Sequence, residues 1–167
     1  LLMDLVIQAV QQLLTTAVWQ VGSPLVWIKT IFYWDPLIIG QSSLPAITIM
    51  PTNTQYLQRW SRYDQKKHTL TLRLIYDLKS FLSDNPIPNK LDQVHKAINQ
   101  IEQTSNWETI NYTICGVIEK NPTLPLNWIK TCELAKITSV DYTFSENRDF
   151  PTYEVVINLE VDIVGNR

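Results

Sequence analysis

The chain has 167 residues, 45% of them hydrophobic, which is enough for one well-buried core and short for two, so we expect a single domain over 1–167. Its net charge is −2 and only 18% of its residues are charged, which argues against specific nucleic-acid binding, because that needs a sustained basic surface. The two cysteines, Cys115 and Cys132, have no cysteine or histidine at metal-ligand spacing. This favours two reduced thiols over a zinc site and leaves a disulfide between them open.

The N-terminal segment has a helical period. From Asp4 to Trp19 apolar residues recur every three or four positions, with Gln8, Gln11 and Gln12 on the opposite side. The spacing predicts an amphipathic helix with one buried stripe. The glutamines, and the lack of a basic segment before them, argue against a signal peptide or a membrane span. No membrane partner is therefore expected.

Two extended segments follow. Residues 26–33 are rich in β-branched and aromatic side chains and predict a strand, with a short helix as the alternative. Ala46 to Met50 predicts a second strand, which we expect Pro51 to end. Residues 52–67 have no clean period and predict a projecting loop or hairpin arm of polar character.

The middle of the chain contains segments with a strand pattern and one segment with a helix pattern. His68 to Tyr76 predicts a strand with leucines on one face, and Asn89 to Thr104 predicts a second amphipathic helix with a narrow apolar stripe. Ile110 to Ile118 predicts a strand. Leu134 to Phe144 predicts another, in which the alternation slips by one residue, so we expect a β-bulge between Ile137 and Ser139.

The last strand has the clearest pattern in the sequence. Every odd position from Tyr153 to Ile163 is apolar, whereas the even positions include Glu154, Glu160 and Asp162. Successive strand side chains point to opposite faces, so one face is buried and the other is mostly acidic. The fold class that follows is α+β: a mainly antiparallel β-sheet with two amphipathic helices packed on one face and a long polar arm between strands.

No motif for catalysis appears in the sequence. The four glycines are too far apart to cradle a phosphate, and no serine has the flanking glycines of a hydrolase nucleophile. His68, His95 and the scattered carboxylates are better explained as packed, capping or solvated groups. We therefore expect no enzyme activity, no catalytic residue, no metal and no cofactor.

Charge is divided unevenly along the chain. The stretch from Arg59 to Lys79 has six basic and two acidic residues, whereas Glu133 to Arg167 has seven acidic and three basic residues. Two opposed patches suggest a head-to-tail contact between copies, although solvated sheet faces would give the same pattern. The candidate interface residues are Arg59, Trp60, Arg62, Lys66 and Lys67 on the arm, and Glu154, Glu160 and Asp162 on the last strand. Cations interleaved with aromatics also resemble a single-strand binder, which the acidic net charge opposes.

The order of these elements resembles that of the tail terminator, or tail completion, proteins of long-tailed bacteriophages. The resemblance spans nearly the whole chain, with an N-terminal helix, a polar arm, a strand from His68, a helix and a terminal hairpin. Three segments carry it most clearly: Tyr33-Trp34-Asp35-Pro36, Leu44-Pro45-Ala46-Ile47-Thr48-Ile49-Met50-Pro51 and Ile137-Thr138-Ser139-Val140-Asp141-Tyr142. The segments 80–88 and 121–128 are longer than that family's pattern.

The resemblance implies a non-enzymatic virion protein. Members of that family form a hexameric ring, cap the tail tube and join it to the head. The implied partners are further copies of the chain, a tail tube protein and a neck or head-completion protein. The implied location is the neck of the virion, with the host cytoplasm during assembly. Another head–tail connector or a baseplate adaptor is the alternative, and a small nucleic-acid-binding module or enzyme is a more distant one.

Overall fold

The computed structural model describes residues 2–20, 23, 25, 27–34, 39–59, 63–77, 113–145 and 151–166. Two α-helices and five strands lie in these ranges, together with a short 3₁₀ turn at Gln41–Ser43. They follow one another as α1 (Leu2–Val18), β1 (Thr30–Tyr33), β2 (Ala46–Arg59), β3 (Tyr63–Asp77), α2 (Ile114–Lys120), β4 (Leu134–Ser145) and β5 (Thr152–Asn166).

Helix α1 confirms the amphipathic helix that the N-terminal spacing predicts. Its apolar stripe, which includes Val6, Val10 and Leu14, is fully buried, whereas Gln8 and Gln12 are exposed. The amide of Gln11 donates to the carbonyl oxygen of Ile31 at 3.1 Å, which ties the helix to strand β1. Burial of the stripe therefore sets which side of α1 faces the sheet.

The five strands form one sheet in the order β1-β2-β3-β5-β4. All neighbouring strands are antiparallel except β1 and β2, which are parallel over four residues. Both helices pack on the same side of this sheet, in one apolar core. The predicted α+β class with a mainly antiparallel sheet is thus confirmed.

The alternation in β5 is confirmed as the main wall of that core. All six odd residues from Tyr153 to Ile163 are buried, and Val155, Ile157 and Leu159 each lie opposite a leucine of β3. Burying such side chains contributes roughly 1.5–3 kcal/mol each before the loss of conformational entropy. Strand β5 lies between β3 and β4, and it contributes to the core from Tyr153 to Ile163.

Strand β2 continues through Pro51, which corrects the prediction that Pro51 ends it. The register shifts between Pro51 and Asn53, and the pairing with β3 then resumes as far as Arg59. Strand β1 pairs with Ala46 to Ile49, so within the described residues Pro51 lies where β2 is an edge strand, and there a missing N–H is tolerated. Residues 52–59 and 63–67 form the two limbs of a hairpin arm, one of the two predicted forms for that segment.

Helix α2 corrects the strand predicted from Ile110 to Ile118, of which residues 110–112 lie outside the described ranges. Thr113 caps the helix, because its hydroxyl oxygen accepts a hydrogen bond from the Gly116 N–H at 3.0 Å. Its buried residues are Ile114, Cys115, Val117 and Ile118. The helix predicted from Asn89 to Thr104 lies outside the described residues.

Two further predictions concern the strands at the sheet edges. The register of β4 shifts between Ile137 and Ser139, which confirms the predicted bulge. Strand β1 is shorter than predicted, because only Thr30–Tyr33 of the segment 26–33 is extended and paired.

Candidate assembly surface

The predicted basic residues lie along the hairpin arm. Arg59 is the last residue of β2, opposite Asp64 in the register, and Lys66 and Lys67 lie on β3. Trp60 and Arg62 lie outside the described residues. The Lys66 ammonium lies 5.2 Å from the centroid of the exposed Tyr56 ring, at cation–π distance.

Strand β5 brings the predicted acidic residues beside the arm of the same chain. Because β3 pairs with β5, the ammonium of Lys67 lies 3.5 Å from the Glu160 carboxylate, and both side chains are about one-third exposed. Such a half-exposed pair is worth little to stability. It also means that part of the charge complementarity seen in the sequence is already satisfied within one chain.

Glu154 is buried, with 2% of its surface exposed, on the sheet face opposite the helices. Its carboxylate lies 3.2 Å from the Arg73 guanidinium and accepts a hydrogen bond from the Thr152 hydroxyl at 3.3 Å. The alternation predicts an acidic exposed face here, but this carboxylate has partners within the chain. Asp162, near the other end of β5, is half-buried, and its Oδ1 atom is buried without a hydrogen-bond partner.

Neutral polar groups cross the same sheet face from strand to strand. The Thr71 hydroxyl on β3 lies 3.4 Å from the Thr52 hydroxyl and 3.1 Å from the Asn158 side-chain oxygen. The amide of Asn158 in turn donates to the Ser139 hydroxyl at 2.9 Å. This row of hydrogen bonds links β2, β3, β5 and β4 across the face opposite the helices. The same face also carries a small buried apolar cluster around Ile75, Ala46 and Leu44.

The described sheet has open edges on both sides. On one side the outer edge of β2 from Met50 to Arg59 has no neighbouring strand among the described residues, since β1 reaches only Ile49. On the other side β4 is the outermost described strand. Its beginning is covered, because the Ala135 N–H donates to the Pro122 carbonyl at 2.7 Å. Beyond the bulge no described strand lies outside it.

Apolar side chains are exposed along the open part of β4. Residues 141–144 are exposed on both faces of the strand, with Tyr142 at 47% and Phe144 at 64%. The Phe144 ring also contacts Tyr153, with ring centroids 5.0 Å apart. A long edge strand with exposed aromatic side chains is a template for pairing with another chain.

A second exposed apolar feature is the tight turn from Leu126 to Ile129. Reciprocal backbone hydrogen bonds of 2.8 and 3.1 Å join these two residues, and the central residues, Asn127 and Trp128, have φ angles of 50° and 70°. Asparagine tolerates this left-handed conformation, but for a bulky residue such strain costs about 1–3 kcal/mol. The Trp128 side chain is nevertheless 99% exposed.

A groove lies beside this turn, between α1 and α2. Its volume is about 420 Å³, and its walls include Leu13, Ala17, Val117 and Pro125, with Gln12 and Asn121 among its polar residues. Asn127 and Trp128 form part of its rim. Sequence reasoning missed this site, although an asparagine followed by an aromatic residue in a loop was visible.

The one histidine and the two cysteines within the described residues are buried. His68 is buried, its Nδ1 atom lies 2.8 Å from the Thr54 hydroxyl, and burial and then Lys66 lower its pKa below the usual value. Cys115 and Cys132 are buried free thiols. In the described ranges no group of three or more His, Cys, Asp or Glu residues could hold a metal ion. No helix within those ranges is long and apolar enough to cross a membrane.

Comparison with known proteins leaves the function to be argued from this geometry. No protein-family model matches the sequence, and no curated protein matches it.

Proposed function

We propose that this protein is a structural subunit of a bacteriophage tail: a tail terminator that forms a ring, caps the tail tube and joins it to the head. The order of the sequence elements suggests that family, and the α+β fold agrees with it. The observation that carries the proposal is that, among the described residues, the sheet has two open edges, at β4 and at the outer side of β2.

The strand directions suit ring closure. Four strands, β2, β3, β5 and β4, run alternately up and down between the two open edges. With an even number of antiparallel strands, β4 runs opposite to β2 of a neighbour related by rotation about a ring axis. The junction between copies would therefore be antiparallel, which allows the sheet to continue from copy to copy. Contacts between two different edges are heterologous, and they close into a ring when the rotation permits.

The exposed side chains set a condition on this contact. Tyr142 and Phe144 lie on the open part of β4, level with Ile47, whereas Tyr56 and Leu57 are exposed on the arm at the other end of the sheet. The two open stretches therefore meet only if the strands are tilted to the ring axis. Aromatic side chains with an apolar body are enriched at the buried centres of protein interfaces. The arm cations Lys66 and Lys67 would then lie near the seam, where they can contact a neighbour as well as Tyr56 and Glu160.

The test is to measure the mass of the purified protein by light scattering, alone and with a tail tube protein, and to image it in negative stain. Rings or caps are expected. The variant Tyr142→Lys/Phe144→Lys places two charges on the β4 edge and should abolish them, because charged side chains oppose edge pairing. Leu5→Lys is the control, since Leu5 is a similarly exposed apolar residue on α1. A protein that stays monomeric with the tube, or an edge variant that still forms rings, would contradict the proposal.

A further inference from the structure

The Leu126–Ile129 turn holds the backbone of Trp128 in a fixed position. Below it, the Thr131 hydroxyl donates to the Leu124 carbonyl at 2.6 Å and the Thr131 N–H donates to the Thr123 carbonyl at 3.1 Å. Leu124 and Cys132 on either side of the turn are buried. A tryptophan on a turn fixed in this way loses little conformational entropy on binding, which is the condition for an efficient docking residue.

Neither the turn conformation nor burial explains why tryptophan occupies position 128. The second central residue of a turn with two positive φ angles is ordinarily glycine, and an indole with 99% of its surface exposed gains nothing from the core. Ile129 beside it is also exposed, at 71%. The turn therefore exposes Trp128 as an apolar knob, and this costs the isolated chain free energy.

The groove for such a knob lies on the same surface. Trp128 belongs to the rim of the 420 Å³ groove between α1 and α2, whose walls include Leu13, Ala17 and Val117. The polar groups of Gln12 and Asn121 lie within that lining, where an indole N–H could find an acceptor. A protruding side chain beside a groove that fits it suits a two-fold contact. Each copy then inserts this residue into its partner and accepts the same residue in return.

We propose that two copies of this chain dock across a two-fold axis, with Trp128 of each copy inserted into the α1–α2 groove of the other. This contact uses the helix side of the molecule, whereas the ring proposed above uses the sheet edges, so neither depends on the other.

The size and charge of this surface fit a second copy. Two indoles bury roughly 150–250 Å² each and the groove walls lose a similar area, which together is roughly 600–1,000 Å². Ile129 of each copy adds to this area, so the contact has the size of a weak, reversible interface. The nearest charges balance, with Glu119 and Lys120 on α2 and with Lys130 paired to Glu133 at 2.9 Å. A two-fold contact would therefore not place an excess of like charge together.

The experiment is sedimentation velocity over a range of concentrations, in the edge variant Tyr142→Lys/Phe144→Lys so that ring formation does not interfere. A reversible dimer is expected. Trp128→Gly should weaken it at least tenfold without loss of thermal stability, because Asn-Gly is the preferred sequence for this turn. Thr16→Trp, which fills the groove from α1, should weaken the dimer as well.

Trp19→Gly is the matched control, because Trp19 is also highly exposed but lies outside the groove. With Trp19→Gly added, the edge variant should dimerise as strongly as the edge variant alone, which is the parent in this experiment. A parent that stays monomeric at every concentration, or a Trp128→Gly variant that dimerises like the parent, would overturn the inference and leave the ring proposal standing. If the unsubstituted protein forms no rings but the edge variant still dimerises, the ring proposal is contradicted and this inference stands.

Discussion

Both thiols of this chain are protected by their surroundings. Burial, and then the nearby Glu119, raises the pKa of the Cys115 thiol to about 12, and burial with Glu133 and Asp162 raises that of Cys132 to about 11. Only the thiolate reacts readily with alkylating agents. At pH 8 about one Cys132 thiol in a thousand would be ionised, and fewer at Cys115.

We therefore expect iodoacetamide at pH 8 to leave both cysteines unmodified in the folded protein and to label both after unfolding in guanidinium. Mass spectrometry counts the added groups. Rapid labelling of the native protein at either position would mean that the core around α2 opens much more often than its packing suggests.

His68 gives the stability a dependence on pH. Burial, followed by the charge of Lys66, holds its pKa below the usual 6.5, so the unfolded chain takes up a proton more readily than the folded one. The contribution of the neutral ring to stability is present above pH 6.5 and is lost as the pH falls through the folded pKa. Urea unfolding at a series of pH values from 7.5 to 4.5 should show a smaller decline for His68→Gln than for the parent. Equal slopes would remove His68 as a source of the acid sensitivity.

At the scale of elements, the Arg73–Glu154 pair joins β3 to β5, with the Glu154 carboxylate buried and the Arg73 side chain one-third exposed. Arg73→Leu leaves a buried carboxylate without its cation and should lower the free energy of unfolding by about 3 kcal/mol. The double variant Arg73→Leu/Glu154→Leu removes both charges and should recover much of that loss. Lys67→Leu is the comparison, since the half-exposed pair with Glu160 contributes about 1 kcal/mol or less. Denaturant titration measures all three, and equal losses at Arg73 and Lys67 would show that burial does not separate the two pairs.

The elements with an uninterrupted period could be predicted from the sequence. Helix α1 and strand β5 keep one period for eleven residues or more, and the bulge in β4 is visible because the alternation resumes after it. Helix α2 has only seven residues, and an apolar run of that length fits a strand as well as a helix. Pro51 was misleading because a proline is tolerated at an edge strand, and β2 is one at that point among the described strands, since β1 pairs only as far as Ile49.

The candidate surface is predictable only in part for a similar reason. Alternation places Lys67 and Glu160 on one sheet face, but their contact depends on β3 pairing with β5, which joins residues more than 70 positions apart. The Trp128 turn has only a weak local signal, the asparagine before it, because tryptophan is disfavoured at a left-handed position. At a strained site the conformational preference of the residue predicts a different backbone conformation from the one observed.

At the scale of the whole molecule, the arm gives the proposed ring a dependence on salt. Reversing Lys66 and Lys67 together to glutamate should weaken assembly, and the weakening should shrink at high ionic strength, where charges beyond a few ångströms are screened. Lys120→Glu/Lys130→Glu changes the net charge equally on the helix side and should leave ring formation intact. Light scattering from 0.05 to 1 M NaCl makes the comparison. Assembly that is indifferent to the arm reversal would exclude the arm from the seam.

The place of β5 in the sheet has a consequence for how the chain reaches its fold. This strand follows every other described strand in the sequence, yet it lies between β3 and β4 and pairs with both. During synthesis the β2–β3 hairpin can form early from local contacts, whereas β4 has no described strand to join until β5 has left the ribosome. Until β5 emerges, β3 also lacks the strand that pairs with its leucines on that edge. The emergence of β5, and not that of the earlier strands, therefore decides when the described sheet can close.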